Sequence, residues 1–452
     1  MKRRHFLKAS LASLGAIASS HSLAAQLQLA NALSANRFSD YKAIVCIFLY
    51  GGHDSFNLFV PTDDRQYADY ARTRQLLSYA QHDLVSLNQE DAYPIGVNSR
   101  ASAFADLFNQ GRASIVSNMG PMREPATRQM LINNENLAPP QLFSHNDQQS
   151  LWQNALMDTK APSGWGGRMA DLLMDAGSSG SAAVLPMSFS LGGTNLFQSG
   201  VQAKHYVMNS DGVEAFGALD PRYDYNDTRI QYHLRLLEAA QHSFAKNYSQ
   251  KVLSARNSNA ILSDALSAQA HTTVDYGIEA QLAEQLKMIA RLISAQSMLG
   301  QSRQIFFASL GGFDTHDNQA VLLPQLQEVL TRSMAGFDAD LRARGIDDNV
   351  VTFTQSEFGR TLTSNGDGTD HGWAGHQLIL GTPIAGARVF GHMPEQTIGT
   401  EDDLFDGRII PTTSIEQFGS QIAQWYGLEA SEINEVFPNL SRFDTSAFNL
   451  FS

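Results

Sequence analysis

The chain has 452 residues, of which 43% are hydrophobic and 17% charged, which is ordinary for a globular protein with a substantial core. The formal net charge of −13 argues against a nucleic-acid partner or an anionic membrane surface, because both would call for a basic protein. A single cysteine, Cys46, excludes an intramolecular disulfide, and its position in an apolar run predicts a buried side chain.

The first residues are typical of an export signal. The segment MKRRHFLKAS places four cations ahead of the apolar stretch LASLGAIASS, and small-residue cleavage sites follow. The Arg3-Arg4 pair resembles a twin-arginine signal, which the twin-arginine translocase reads; a plain basic N-terminus is the alternative. We expect a signal peptide at 1–32 and, because no later stretch is long and apolar enough to span a membrane, a periplasmic or secreted mature protein.

Apolar strand-like runs alternate with helical patterns over 33–452, which predicts a single α/β domain with a mainly parallel central sheet flanked by helices. The predicted strands are Ala43–Leu49, Ser114–Ser117, Met187–Ser190, Gln304–Leu310, Val350–Thr354 and Gln377–Leu380. The predicted helices are Ser99–Gln110, Asp147–Met157, Gly166–Asp175, Val321–Arg344 and Ser414–Tyr426. From about 226 to 300 the pattern is almost wholly helical, which predicts a helical insertion in or over the α/β body.

Four segments contain an apolar strand, a glycine and side chains that bind metals. Because sites in parallel sheets form outside the carboxyl ends of the strands, we expect these side chains to meet. Carboxylate and imidazole together suit a divalent metal such as zinc, manganese or iron better than calcium. The candidate metal ligands are Asp54 in GGHDSFN, Asp314 and His316 in GGFDTHDN, Glu357 in SEFGRT, and His371 and His376 in GTDHGWAGH.

Each candidate also has a purely structural interpretation. Asp54 could cap a turn after the two glycines, and Asp314 could cap the helix that follows it. Glu357 and Arg360 could form a structural ion pair, and His371 could decorate a surface loop. All of these interpretations would have to hold together across four strand ends, so we favour a shared site.

The segment LFSHNDQQSL places Ser144 just before a helical stretch. A helix N-terminus favours an anion, and a metal beside a serine hydroxyl would make it a nucleophile. The alternative is that Ser144 is an ordinary N-cap and His145 a packed side chain.

The motifs GGHDSFNLFVP, GGFDTHDNQ, SEFGRT and GTDHGWAGHQLILG, behind a twin-arginine leader, resemble the bacterial family known as domain of unknown function 1501. The resemblance covers essentially the whole mature chain. That family is grouped by fold with the alkaline phosphatase and sulfatase superfamily. The resemblance implies an alkaline phosphatase-like fold and one or two metal ions. By this resemblance Asp54 is the metal ligand after the first strand, and His371 or His376 is the final ligand. Ser144 is the implied nucleophile, and Ser55 is the second choice.

This sequence departs from the superfamily pattern in SEFG. Glu357 replaces an aspartate, and Phe358, whose ring has no metal-binding lone pair, replaces a histidine. Two hypotheses follow. The chain is an exported metal-dependent hydrolase of phosphoric or sulfuric esters, in which Arg360 holds the small anionic substrate. Alternatively, it is a non-catalytic exported binding or assembly protein that keeps the fold and a structural metal.

Overall fold

The computed structural model describes residues 38–88, 94–174, 185–213, 226–239, 242–446 and 448–451. The predicted signal peptide at 1–32 lies outside the described residues. The strands, numbered in chain order, are β1 Lys42–Leu49, β2 Phe59–Pro61, β3 Leu84–Ser86, β4 Ile95–Asn98, β5 Ala113–Gly120, β6 Ser188–Ser190, β7 His205–Val207, β8 Arg303–Leu310, β9 Val350–Gln355, β10 Arg360–Ser364, β11 Thr369–His371, β12 Gly375–Leu380, β13 Val389–Phe390 and β14 Thr413–Ser414.

The helices of the described residues, also numbered in chain order, lie between these strands. They are α1 Asp64–Arg74, α2 Ser102–Asn109, α3 Arg128–Asn133, α4 His145–Asn154, α5 Trp165–Leu173, α6 Asn226–Glu238, α7 Ser243–Ser267, α8 Gln281–Ser294, α9 Gln296–Leu299, α10 Gln319–Ala343, α11 Ile415–Tyr426 and α12 Ala430–Val436. All six predicted strands and all five predicted helices are confirmed, with shifts of a few residues at their ends.

The main sheet has the strand order β13-β5-β12-β9-β1-β8-β6-β7, and β14 also pairs with β5. Strand β1 lies near the centre and pairs in parallel with both β8 and β9. Strand β12 runs antiparallel to its neighbours, β5 and β9, whereas the other pairs of this sheet in the described residues are parallel. The predicted α/β fold with a mainly parallel central sheet is therefore confirmed.

Strand β1 shows why this sequence forms a central strand. Its apolar run is buried on both faces, as expected for a parallel strand covered by helices on each side. Val45 and Ile47 pack in one core, with side chains of α2, α8 and α10. Cys46 and Phe48 point to the opposite face and pack with side chains of α4, α5 and α11. Cys46 is fully buried, as predicted.

The predicted helical segment at 226–300 contains α6, α7, α8 and α9. Helix α8 carries the apolar periodicity that the sequence displays, and its Leu286 and Ile289 are fully buried in the core shared with β1. The description of this segment as an insertion in a single domain stays a prediction. None of the helices in the described parts of the chain is long and apolar enough to cross a membrane.

Candidate functional site

The site forms where β1, β8 and β9 end side by side. The turn after β1 contains Gly51 and Gly52, both with positive φ. A Cβ on Gly51 would lie 2.3 Å from the amide nitrogen of Asp314, so glycine is needed for the β8 turn to approach this closely. The Gly51 amide donates to Oε1 of Glu357 over 2.9 Å, which joins the end of β9 to the same turn.

Three imidazoles converge on the carboxylate of Asp314. The Nε2 atoms of His316 and His371 lie 3.2 Å and 3.3 Å from Oδ1 of Asp314. Nε2 of His145, the first residue of α4, lies 3.5 Å from Oδ2. One ligand atom each from His145, Asp314 and His371 fall within 4.8 Å of one another, a spacing that suits a single cation. We call His145, Asp314, His316 and His371 the cluster.

Each of these imidazoles is oriented by an acceptor at its other nitrogen. Nδ1 of His145 lies 2.9 Å from Oε1 of the buried Glu357. Nδ1 of His371 lies 2.9 Å from the carbonyl oxygen of Phe143, and Nδ1 of His316 lies 3.3 Å from Oδ1 of Asp370. A carboxylate or carbonyl oxygen accepts, so each Nδ1 donates, and a ring that carries only this one proton presents an Nε2 lone pair to the cluster. Metal-binding histidines are usually held in this way.

The closest approach in the cluster joins two of these lone pairs. Nε2 of His316 lies 2.9 Å from Nε2 of His371. When each ring carries only its Nδ1 proton, neither Nε2 has a proton to share, and the contact is repulsive unless a proton or a cation lies between them. The donor set of nitrogen and carboxylate oxygen therefore fits a divalent metal of the zinc, manganese or iron type.

The surroundings of the cluster also shift its acid–base behaviour. The hydrogen bond to Glu357 raises the pKa of His145. Burial lowers the pKa of His371, and the positive charge of Arg360 acts in the same direction. Burial acts to raise the pKa of Asp314, but the hydrogen bond and charge of Arg360 outweigh it and hold that pKa below its usual range. A neutral His371 beside an ionised Asp314 is the state that binds a metal.

Phe358 packs against two rings of the cluster. Its buried ring stacks on His371 with a centroid distance of 4.4 Å and lies 4.9 Å from the ring of His145. Phe358 thus packs against two histidines of the cluster. A Cβ on Gly52 would lie 2.4 Å from this ring, so the second glycine makes room for it.

Asp54 lies outside the cluster, which differs from the expectation of a first-strand metal ligand. Its fully buried carboxylate forms a bidentate ion pair with Arg74 of α1, with contacts of 2.7 Å and 2.8 Å. It also accepts from Nε2 of Gln319 over 2.7 Å and from the amide of Asn57 over 3.2 Å. These four contacts use its lone pairs. Its observed role is the turn cap that the sequence left as an alternative, reinforced by Arg74.

Arg360 is fully buried and does not face a substrate space, which differs from the expected catalytic role. Its guanidinium donates to the carbonyl oxygens of Gly51, Gly52, Phe313 and Thr369. It also pairs with Asp314, as the structural interpretation of this arginine allowed. Arg360 therefore joins the turns after β1 and β8 to β11 and orients Asp314.

His376 and Ser55 also lie away from the cluster, in the core beneath it. Burial lowers the pKa of His376 to about 3, so the ring is neutral. Its Nδ1 accepts from the amide of Asn118 over 3.1 Å, and the ring packs edge-on against Phe56. The buried Ser55 hydroxyl accepts from the amide of His376 over 2.7 Å. Neither residue contacts a cluster ligand, so both differ from the predicted catalytic and metal-binding roles.

Ser144 keeps its predicted position at the start of α4 and directly precedes the cluster residue His145. Its Oγ donates to Oδ2 of Asp147 over 2.6 Å and does not cap the helix. Two other residues of α4 contact Glu357, namely His145 and Gln149, whose Nε2 donates over 3.0 Å. Neither His145 nor Gln149 is among the site residues predicted from the sequence. The sequence feature that could have indicated His145 as a site residue is its position next to Ser144, the proposed nucleophile.

The fold and the cluster define an α/β protein with a candidate metal centre at the carboxyl ends of its sheet. The chain belongs to the family described as "Protein of unknown function (DUF1501)", whose model matches residues 41–428. Comparison with the curated proteins gives no significant match.

Several solved structures are similar to the chain. The PsFucS1 sulfatase from Pseudoalteromonas sp. is 9% identical with a TM-score of 0.36, and the match covers 95% of this chain and 78% of that one. The structure of Ps i-CgsB is 9% identical with a TM-score of 0.36, and 90% of this chain and 78% of that one are covered. The structure of its complex with k-i-k-neocarrahexaose is 10% identical with a TM-score of 0.35, and the match has the same coverage. At this similarity the activities of those proteins carry no argument for this chain, and the chemistry of the cluster has to supply one.

Proposed function

We propose that the chain is an exported metal-dependent hydrolase of phosphoric or sulfuric esters, with one divalent cation bound by His145, Asp314 and His371 and with His316 beside them. The observation that carries the proposal is the 2.9 Å contact between the Nε2 atoms of His316 and His371. With one proton on each Nδ1, the two Nε2 lone pairs face each other, and a cation between them makes that contact favourable. Glu357 holds His145 in the ligating tautomer, and Arg360 orients Asp314.

A bound cation would supply Lewis-acid stabilisation of the negative charge on the ester. The residue proposed to attack is Ser144, whose hydroxyl is already hydrogen-bonded to Asp147. Its Oγ would form a bond to phosphorus or sulfur while its proton passes to Asp147. The ester oxygen would leave with the electrons of the broken bond and take the proton from Asp147. A water molecule would then attack the serine ester, and Ser144 Oγ would leave with the electrons of its broken bond and take a proton from that water, which restores the hydroxyl.

The first experiment is the metal content of the purified, untagged full chain after dialysis against micromolar zinc, manganese or iron. We expect about one equivalent, the stoichiometry of a single tetrahedral site. We expect it to be lost in His371→Ala and Asp314→Ala and retained in the control His82→Ala, whose side chain is 85% exposed outside the cluster. A folded wild-type chain that takes up none of these metals would refute the proposal.

Turnover is tested separately with 4-nitrophenyl phosphate and 4-nitrophenyl sulfate on the metal-loaded chain. Ser144→Ala is expected to abolish hydrolysis and leave the metal content unchanged, since Ser144 contributes no ligand to the cluster. Hydrolysis at the wild-type rate by that variant would exclude the serine mechanism.

A second function, a non-catalytic binding or assembly protein with a structural metal, is favoured by one observation. Of the three predicted catalytic residues, Ser55 and Arg360 are buried and engaged within the protein. Under this alternative we expect the chain to bind the same amount of metal and to hydrolyse no phosphoric or sulfuric ester. Export through the twin-arginine translocase belongs to both proposals, and its basis is the Arg3-Arg4 leader.

A further inference from the structure

Two consecutive helices, α6 and α7, carry large apolar side chains on their solvent sides. Leu237 lies on the buried side of α6, whereas Tyr232 and Leu236, one turn apart on the other side, are 65% and 52% exposed. In α7, Phe244 and Tyr248 repeat this spacing and are 85% and 65% exposed. Single exposed apolar side chains are ordinary, but four of them within 232–248 indicate an interaction surface. We call these four residues the aromatic surface.

The charge of this part of the chain is opposite to that of the whole. Between 229 and 263 the sequence contains one acid, Glu238, and five cations, which are Arg229, Arg235, Lys246, Lys251 and Arg256. All of these cations except Arg256 are exposed. Lys251 follows Phe244 by seven positions and Tyr248 by three, so it lies on the same face of α7. Aromatic rings and positive charges are therefore combined on one exposed surface.

The aromatic surface lies far from the place where α7 joins the core. Leu262, Ala265 and Leu266 at the C-terminal end of α7 pack in the core that contains β1. Phe244 lies about five turns before Leu262, which is roughly 27 Å along the helix axis. Charges are largely screened beyond about 8 Å at physiological ionic strength. The net charge of −13 argues against an anionic surface as partner of the whole chain, but the nearby cations govern what the aromatic surface attracts.

We infer that the aromatic surface docks the protein on an anionic lipid bilayer, with the rings among the head groups and the cations on the lipid phosphates. Tyrosine and phenylalanine beside lysine and arginine are typical of helices that lie in a membrane interface. A second copy packed through the same surface would place like charges opposite each other, which disfavours that occupant. The inference goes beyond the proposed hydrolase function and does not depend on it.

The test is co-sedimentation of the full chain with vesicles of phosphatidylcholine alone or of phosphatidylcholine mixed with phosphatidylglycerol, at low and at high salt. We expect binding to the vesicles that contain phosphatidylglycerol, weakened by salt, and little binding to the others. Phe244→Ser should weaken binding at least about tenfold, the ratio that burial of a phenylalanine ring provides. Lys251→Ala should weaken it about fivefold, the contribution of one cation near an anionic bilayer.

The chain offers a matched control for each variant. Leu76→Ser removes another large apolar side chain, which is 86% exposed outside α6 and α7. Lys160→Ala removes an exposed cation between α4 and α5. Both controls should bind vesicles as the wild type does. Because all four variants change exposed side chains away from the cluster, their metal content and urea unfolding should match those of the wild type.

The remaining outcomes would overturn the inference. A folded chain that binds neither kind of vesicle at low salt, or that binds both equally, has no site for anionic lipid. Undiminished binding by Phe244→Ser would exclude the aromatic surface as the contact. Self-association in light scattering that Phe244→Ser abolishes, without vesicle binding, would make a second copy the occupant.

Discussion

The buried pair Asp54 and Arg74 provides the sharpest test of the site. The two side chains are 0% and 1% exposed and share two contacts of 2.7 Å and 2.8 Å. Asp54→Asn leaves the guanidinium of Arg74 buried without a counter-charge, and breaking such a pair costs about 3–5 kcal/mol. Because domains are stable by about 5–15 kcal/mol, we expect the variant to fold with clearly reduced stability. Its zinc content should equal that of the wild type, since Asp54 is not in the cluster.

Urea unfolding near neutral pH measures the loss of stability, and metal analysis of the same sample measures zinc. The control is Asp63→Asn, nine positions further along the chain, where the carboxylate caps α1 by accepting from the Gln66 amide at 3.0 Å. Asparagine caps helices as well as aspartate does, so the control should change stability by less than about 1 kcal/mol. An Asp54→Asn chain that is as stable as the wild type but has lost its zinc would show that Asp54 is a ligand and that the argument is wrong.

Three further predictions concern other parts of the molecule. Burial raises the pKa of Glu416 from 4.5 to about 7. The neutral carboxyl therefore makes its full contribution to folding stability below the unfolded-state pKa. That contribution is lost as the pH rises through about 7. Glu416→Gln should stabilise the chain by roughly 3 kcal/mol at alkaline pH and little in acid, as measured by urea unfolding at both ends of the range. Gly52→Ala, whose Cβ would meet Phe358 at 2.4 Å, should cost about 1–3 kcal/mol more than Gly193→Ala, which has positive φ but open space. Zinc at about 100 times its dissociation constant should stabilise the wild type by about 2.7 kcal/mol over a chelated sample in thermal unfolding, and His371→Ala should show no such shift.

The fold could be predicted because its main determinants are local. From 43 to 49 strand β1 is apolar at every position, and a strand that is buried on both faces needs that composition. Helix α8 repeats apolar residues at helical spacing because only one of its faces packs on the core. The short strands β2, β3 and β4 were not predicted, since strands of three or four residues leave little periodicity to detect.

The site could be predicted only in part. Asp314, His316, Glu357 and His371 do meet, because the carboxyl ends of parallel strands lie at one edge of a sheet. The pairing of polar side chains was not predictable, because it depends on distant segments. Arg74 lies on a mainly polar helix, and nothing near it in sequence indicates that Asp54 is its partner. His145 approaches Glu357 from 212 positions away.

The charges around the cluster favour a divalent cation over a proton. Asp314 contacts all three histidines, Glu357 contacts His145 and Asp370 contacts His316. Arg360 is the cation that pairs with Asp314. With the imidazoles neutral, three carboxylates against one guanidinium leave two negative charges around the inward Nε2 atoms. A single proton between His316 and His371 would relieve their contact but offset only one of those charges. A divalent cation offsets both and accepts several of the lone pairs at once, which is why we expect metal content, rather than acid pH, to control the order of this site.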